Sequence, residues 1–317
     1  MGSKPLVFVD GEEGTTGLQI LDRLHARPDV EMLHIDPAQR KDPEARRALL
    51  NEAAVAILCL PDQAAREAVS LVSNPRTKLI DASTAHRTAP DWAYGIPELG
   101  YGTREAIRAA SRVCVPGCHA TGFVMSVYPL VKLGILPADC PLTCHSITGY
   151  SGGGKKLIFQ YEDPSVDRNK LNSPRPYALN LKHKHLPEMQ VRSGLAFSPI
   201  FTPIVDDFYK GMVVSVPLFP RLLARRATAM DIWAALSMHY ESEPFVRIMP
   251  YEAEPVLDGG FLDVQTCNDT NRVDMFVFGN AERVVVSARL DNLGKGSSGA
   301  AVQILNLLLG VEETRGL

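Results

Sequence analysis

The sequence predicts an α/β protein of two domains, the first built on a parallel sheet alternating with helices and the second on a mixed or antiparallel sheet. Three observations carry that prediction. From Pro5 to Val115, short apolar runs alternate with helix-like runs, as for strands buried on both faces of a parallel sheet. The first run leads directly into a glycine-rich loop and an amphipathic helix, the order that sets a phosphate on a helix N-terminus. After Cys140 the strand-like runs mostly follow one another. With 317 residues, 45% hydrophobic and 22% charged, the chain has the length of about two domains and is too apolar for disorder.

Pro5 to Val9 is the first strand, closed by Asp10. Gly11-Glu12-Glu13-Gly14-Thr15-Thr16-Gly17 follows, and Leu18, Ile20, Leu21 and Leu24 then form one helical face. Gly11, Gly14, Thr15, Thr16 and Gly17 are therefore candidates for holding a pyrophosphate, although three glycines in a turn need no ligand. Glu12 and Glu13 would repel such a group and are expected to face solvent. Val30 to Ile35 is the second strand. Its tip carries Asp36, which suits the ribose 2′-hydroxyl of NAD, and Arg40-Lys41, which suit the 2′-phosphate of NADP; the residues alone leave that choice open.

Val55 to Leu60, closed by Pro61-Asp62, and Lys78 to Asp81, leading into Ala82-Ser83-Thr84-Ala85-His86-Arg87, are the third and fourth strands. The carboxyl ends of parallel strands face the ligand crevice, so Pro61 and Ser83 can touch a cofactor and Arg87 can meet an anion. Tyr94 to Leu99 reads as an ordered turn, Arg104 to Ala110 as a helix and Ser111 to Val115 as the fifth strand.

That strand delivers Pro116-Gly117-Cys118-His119-Ala120-Thr121-Gly122. Pro116 and Gly117 force a tight turn, and Cys118 falls at the first turn of the helix-like run Ala120 to Leu133, where unpaired N–H groups favour a thiolate. Cys118 is the candidate nucleophile; the plainer reading is a small buried side chain at a helix start. Pro129 is expected to kink or shorten the helix.

In the second domain, Leu142 to Thr148, Gly211 to Phe219, Asp263 to Cys267, Arg272 to Gly279 and Arg283 to Leu290 read as strands, and Ala227 to Tyr240 as a helix. Ser151-Gly152-Gly153-Gly154-Lys155-Lys156 reads as a flexible cationic loop, either an anion cradle or a bare hinge. Lys182-His183-Lys184-His185 offers a base near neutrality, with lysines that attract an acidic substrate; the residues do not choose between His183 and His185. Asp291 to Ser298 leads to a final helix with Ala301, Ile304, Leu305, Leu308 and Leu309 on one face and Gly310 as its stop, and such a helix often crosses back to the first domain.

Composition removes several classes of function. A net charge of -3, from 33 basic and 36 acidic residues, offers nucleic acid or an anionic membrane no general attraction, so the expected partner is a small molecule. No apolar run approaches the ~20 residues of a membrane span, and no signal-peptide layout opens the chain, so a cytoplasmic protein is expected. Met1-Gly2-Ser3-Lys4-Pro5-Leu6 has Leu where N-myristoylation wants Ser or Thr, so Gly2-Ser3 reads as a cloning remnant. The six cysteines are sparse, as befits reduced thiols. Two pairs are spaced by three residues, each followed by a histidine, but Cys140 to Cys144 brackets Pro141 and enters a core strand, so no metal site is expected.

The motif around Cys118, together with Gly11 to Gly17, Tyr94 to Leu99, Ser151 to Lys155, His185-Leu186-Pro187-Glu188 and Asp291 to Gly299, resembles the N-acetyl-γ-glutamyl-phosphate reductase family, particularly its shorter form, from Gly11 to Gly310. His119 departs from the aromatic usual in the longer form, and Cys114 from a smaller residue.

The resemblance implies the architecture of the aspartate-semialdehyde and glyceraldehyde-3-phosphate dehydrogenases. An NADP-binding Rossmann domain would comprise residues 1–117 and 297–317, and an inserted α+β domain for catalysis, substrate and oligomerisation residues 118–296. It implies NADPH, favouring Arg40 and Lys41, with Ser151, Gly152, Gly153, Asn292, Gly294 and Lys295 also at the cofactor. It makes Cys118 the nucleophile toward N-acetyl-γ-glutamyl phosphate and His185 the acid/base. Arg87, Glu98, Lys155, Lys182 and Glu188 would serve the substrate, and a homodimer or homotetramer is expected. Aspartate-semialdehyde dehydrogenase is the alternative of the same chemistry. A cofactor-free Cys-His acyl transferase or hydrolase, or a nucleotide sensor without turnover, would be of a different class.

Overall fold

The computed structural model of the chain describes residues 4–225, 227–251 and 253–317. Gly2, weighed above as a lipidation site, lies outside them. The chain divides into two compact units, Met1–Pro116 with Ser297–Leu317, and Gly117–Gly296.

In the first unit the chain runs β1 (Leu6–Asp10), α1 (Thr15–His25), β2 (Glu31–Leu33), α2 (Pro43–Glu52), β3 (Val55–Leu58), α3 (Asp62–Leu71), β4 (Lys78–Asp81), β5 (Ala93–Tyr94), α4 (Thr103–Ala109) and β6 (Arg112–Cys114). The strands form one parallel sheet in the order β2-β1-β3-β4-β6-β5. β3 is buried along its whole length and β1 and β4 over all but their first residue, because helices cover both faces. Val7, Val9, Ile57, Ile80 and Val113 make the core with Ile20 and Leu24 of α1 and Ile107 of α4. β5 was not expected: it ends on the first residue of the stretch read as a turn, and it makes Ser111 to Val115 the site of the sixth strand.

The second unit contains α5 (Cys118–Lys132), β7 (Thr143–Gly149), α6 (Gly154–Glu162), β8 (Arg175–Pro176), α7 (Leu186–Ser193), β9 (Ile200–Asp206), β10 (Met212–Leu218), α8 (Ala229–Tyr240), β11 (Val246–Ile248), β12 (Val273–Gly279) and β13 (Val284–Leu290). Its sheet has the order β11-β12-β13-β10-β7-β9-β8 and is mixed: β7 pairs with β9, and β11 with β12, in parallel, and the other neighbours are antiparallel. The last helix, α9 (Gly299–Leu309), belongs to the first unit, where Ile304, Leu305 and Leu308 join the core, and it ends at Gly310 with φ of 68°.

Several expectations need correction. Pro129 does not shorten α5, which continues to Lys132. The Met125 carbonyl that Pro129 cannot bond instead accepts from the Tyr240 hydroxyl at 2.7 Å. Asp263 to Cys267 is not a strand: the Asp263 carboxylate accepts from the backbone of Gln265 and Thr266 and closes a turn. Ser151 to Lys156 is not a flexible loop, since residues 150–153 form a helical turn and α6 starts at Gly154. The sequence reading passed over β9, whose central Pro203 masks the pattern; parallel to β7 it is registered Ser146 to Pro203.

Candidate active site

Cys118 is the first residue of α5, which follows β6 after Val115-Pro116-Gly117. Gly117 caps the helix in an extended conformation, and its carbonyl accepts from the Thr121 N–H at 2.7 Å and the Thr121 hydroxyl at 3.0 Å. The N–H groups of Cys118 and His119 lie in the first turn, beyond reach of any carbonyl of their own helix, and they favour negative charge at the thiol. Gly296 lets the backbone come close, since a Cβ there would lie 2.7 Å from the Cys118 Cβ. All six cysteines are thiols, and Cys118 is partly exposed. Burial raises the thiols of Cys59, Cys144 and Cys267, which suits them to packing.

Around the start of α5 the second unit assembles three imidazoles and a phenol. The ring centroid of His119 lies 5.6 Å from His183, 5.5 Å from His185 and 6.4 Å from Tyr177. His183 and His185 stand edge to face at 4.7 Å, and Phe201 covers His119 at 5.2 Å and His183 at 5.1 Å. His185, 4% exposed, caps α7, and its backbone N–H donates to His183 Nδ1 at 3.1 Å. Accepting that bond requires an unprotonated Nδ1, so His183 in this arrangement is the neutral Nε2–H tautomer. His119 shares hydrogen bonds of 2.8 Å with Ser146 Oγ and 2.9 Å with the Tyr177 hydroxyl. Burial, then the repulsion from His183 whenever that ring is protonated and from Lys184, hold its pKa down at about 3, so it too is neutral near pH 7.

His183 and Tyr177 line a cavity of about 600 Å³ with Lys156, Arg175 and Lys184; much of its wall is apolar or glycine, and its charged side chains are all basic, which suits an anionic small molecule.

In the first unit, Gly11 has φ of 87° and a Cβ there would come within 2.4 Å of the Cys59 carbonyl oxygen, so only glycine fits. Gly14 caps α1, and the first-turn N–H groups of Thr15, Thr16 and Gly17 make the cradle that a pyrophosphate needs. Thr16 Oγ1 also lies 3.0 Å from Ser297 Oγ. Arg40 pairs with both Glu12, at 3.6 Å, and Glu13. The Glu13 side chain is 66% exposed, as expected, whereas that of Glu12 is only 18% exposed and does not simply point to solvent. Lys41 is exposed, and Asp36 caps the next turn by accepting from Ala38 N.

Family models described as "Semialdehyde dehydrogenase, NAD binding domain" and "Semialdehyde dehydrogenase, dimerisation domain" match residues 7–110 and 118–292. N-acetyl-gamma-glutamyl-phosphate reductase 2 of Nostoc sp. is 49% identical over 321 residues, covering 99% of this chain and 100% of that protein. Its namesake in Pseudomonas putida is 44% identical over 314 residues, covering 98% and 99%. The chain belongs to the N-acetyl-γ-glutamyl-phosphate reductase family. Aspartate semialdehyde dehydrogenase II of Vibrio cholerae, solved with ASA, shares the fold at a TM-score of 0.72, with 14% identity and coverage of 98% and 99%. The Candida albicans aspartate semialdehyde dehydrogenase with NADP does so at 0.65, with 12% identity and coverage of 97% and 99%. The relatives at 44–49% identity are reductases, which disfavours the aspartate-semialdehyde alternative.

In this reductase-family chain, the residues expected at the site fall into two groups by unit. Pro61 caps α3 in the first unit. Ser83 there bonds Asp81 through N–H and hydroxyl, at 2.9 and 2.8 Å, and Asp81 also pairs with His86 Nδ1 at 2.6 Å. Arg87 donates to the carbonyls of Val115 and Ala82, and buried Glu98 accepts from Gln303 of α9 at 2.8 Å. In the second unit, Glu188 accepts from the Gly117 N–H at 2.9 Å. Asn292 accepts from Gly211 N and donates to Ser151 Oγ, which pins the Ser151-Gly152-Gly153 turn. A Cβ on Gly294 would meet the Thr270 carbonyl, and Lys295 is fully buried with Nζ 5.5 Å from the Phe245 ring centroid.

Two expected substrate lysines are not among those lining the cationic cavity. Lys155 lines a separate cavity with Phe159 and Glu162, and Lys182 is exposed; Lys156 and Lys184 take the places one might have given them. Adjacent residues on a helix diverge by about 100°, so once α6 begins at Gly154 only one of two successive lysines can face the cavity. Tyr177 and Arg175 were missed: no local motif marks them, and β8 is two residues long; His119 stands in the motif around Cys118 but was given no role there.

Proposed function

We propose that this chain catalyses the NADPH-dependent reduction of N-acetyl-γ-glutamyl phosphate to N-acetyl-glutamate 5-semialdehyde and phosphate, a step of arginine biosynthesis. The observation that carries the reading is a partly exposed cysteine on a helix N-terminus among His119, His183, His185 and Tyr177, in a chain 49% identical along its length to a named reductase.

The Cys118 thiolate attacks the acyl carbonyl, the C–O bond to phosphate breaks, and phosphate leaves with its electron pair; a thioester remains. First-turn N–H groups of α5 can hold the oxygen that bears charge in each tetrahedral intermediate. NADPH, when bound, supplies hydride. His185 is the proposed acid/base, returning a proton as the thiolate is expelled and the aldehyde forms. His183 is a second reading, favoured by its place on the cavity wall. Lys156, Arg175 and Lys184 are proposed to hold the anionic ends of the substrate.

For the cofactor, the glycine turn and first-turn N–H groups of α1 fit a pyrophosphate, and Arg40 and Lys41 fit a 2′-phosphate. We infer a homodimer or a tetramer built from it. Thr143, His145 and Ile147 of β7 and Ile200 of β9 are exposed in a region matched by a dimerisation-domain model. Among the described residues no helix is long and apolar enough to cross a membrane, and six thiols suit the cytoplasm as the proposed location.

The test is phosphate-dependent reduction of NADP with N-acetyl-glutamate semialdehyde and with aspartate semialdehyde. A site built for a neutral acetamide would have to desolvate the ammonium of the shorter substrate, whereas one methylene is worth only about 1–3 kcal/mol. A large kcat/KM ratio in favour of the acetylated substrate is expected. A ratio near unity or below would overturn the assignment, and turnover without NADP would indicate the transferase class.

A further inference from the structure

His119 is 3% exposed and Ser146 1%, so the hydrogen-bond accounting between them leaves little freedom. A neutral imidazole has one N–H and one lone pair. If Nδ1 carried the proton, it would donate to Ser146 Oγ, and the Ser146 hydroxyl hydrogen would need another acceptor; among the described residues Ser146 Oγ has no other hydrogen-bond partner. If Nε2 carries it, the Ser146 O–H donates to Nδ1 and Nε2–H donates to the Tyr177 oxygen. The Ser146 and His119 donors are then both satisfied, and the Tyr177 hydrogen is left for the cavity that Tyr177 lines.

We propose that His119 is a positioning residue: relaying from Ser146 to Tyr177, it aims the Tyr177 O–H into the cavity as a fixed hydrogen-bond donor. Burial first, and then the Cys118 charge, hold the Tyr177 phenol well above its ordinary range, so the hydroxyl stays protonated and is an electrostatic neighbour of the nucleophile. A donor there stabilises the thiolate before attack and the acyl oxygen after it. The other groups facing the His119 ring are His183, His185 and Phe201, with the Lys184 charge beyond, and together with burial they keep it neutral. The proposal rests on the reductase reading above for its kinetic readout and on the structure alone for its tautomer.

Two experiments test it. In 15N-histidine-labelled wild-type enzyme, the resonance that disappears in His119→Phe should report the Nε2–H tautomer at neutral pH; an Nδ1–H tautomer would overturn the proposal. Kinetically, His119→Phe and Tyr177→Phe should each lower kcat on the order of tenfold with KM little changed, and the double variant should be no worse than either. His119→Gln, whose amide N–H can replace Nε2–H, should restore most of the loss. Additive losses, or equal activity in folded His119→Phe and wild type, would refute the relay. Absence of any turnover by wild type would instead refute the reductase reading and leave the tautomer measurement decisive.

Discussion

The Gly117 N–H donates to the Glu188 carboxylate across 71 residues, at 2.9 Å, and so ties the cap of α5, the helix that Cys118 begins, to the first turn of α7. Glu188 is 1% exposed, and its charge sits favourably at the N-terminus of α7. Glu188→Ala would leave the buried Gly117 N–H without this partner and should destabilise the protein by about 1–3 kcal/mol. Glu188→Gln keeps an acceptor and should lose less. Urea unfolding of both variants checks this; equal losses would mean that charge, not the bond to Gly117, is what matters.

Cys118→Ser should abolish turnover while NADP binding persists, because the thiol belongs to the second unit and the glycine loop to the first. Fluorescence titration with NADPH beside the kinetic assay separates the two. Substantial residual activity would end the covalent mechanism.

Replacing His185 with Asn should lower kcat by on the order of 10² to 10⁴, the loss expected of a general acid/base, and His183→Asn should cost far less. The reverse ranking would transfer the role to His183, on the cavity wall.

The pairing of Arg40 with Glu12 and Glu13 sets it apart from Lys41, the other basic residue proposed to hold the 2′-phosphate. Lys41→Ala should raise KM for NADPH by about five- to tenfold, one charge-assisted bond, and leave NADH nearly unchanged. Arg40→Ala also uncovers two carboxylates beside the glycine turn, so it should weaken both cofactors, NADPH more. If Arg40→Ala spared NADH, the carboxylates would have no influence on the pyrophosphate.

Stability should fall in mild acid through His119. Its pKa is lowered from 6.5 to about 3 by burial and neighbouring charge, so between those values the unfolded chain binds a proton that the folded chain refuses. The contribution is complete above pH 6.5 and is lost as pH falls toward 3. Denaturation midpoints across that window should decline less steeply for His119→Phe than for wild type; parallel curves would assign the acid lability to other groups.

Much of the fold is local and therefore legible. β1, the glycine turn and α1 follow from an unbroken apolar run, a position only glycine tolerates and a helical face, all within Leu6 to His25. The place of Cys118 at the start of a helix follows in the same way from Pro116-Gly117 and the apolar run beyond. Pro129 shows the limit: its missing N–H predicts a kinked or shortened helix, and a hydroxyl from Tyr240, far along the chain, satisfies the carbonyl that it orphans while the helix runs on to Lys132.

The sequence by itself determined that Cys118 stands on a helix N-terminus, that a glycine turn leads into the first helix of the first unit, and that a histidine pair follows near residue 184, because each depends on neighbours within a turn or two. Only the tertiary structure decided what gathers around His119, the residue after the cysteine. His119, Tyr177, His183 and His185 meet through strands β7, β8 and β9 and the cap of α7, so their hydrogen bonds, neutral forms and lysine neighbours depend on contacts between residues tens of positions apart. Lys156 rather than Lys155 faces the cavity for the same reason: side-chain direction is set by where α6 begins, and no pair of adjacent lysines carries that information on its own.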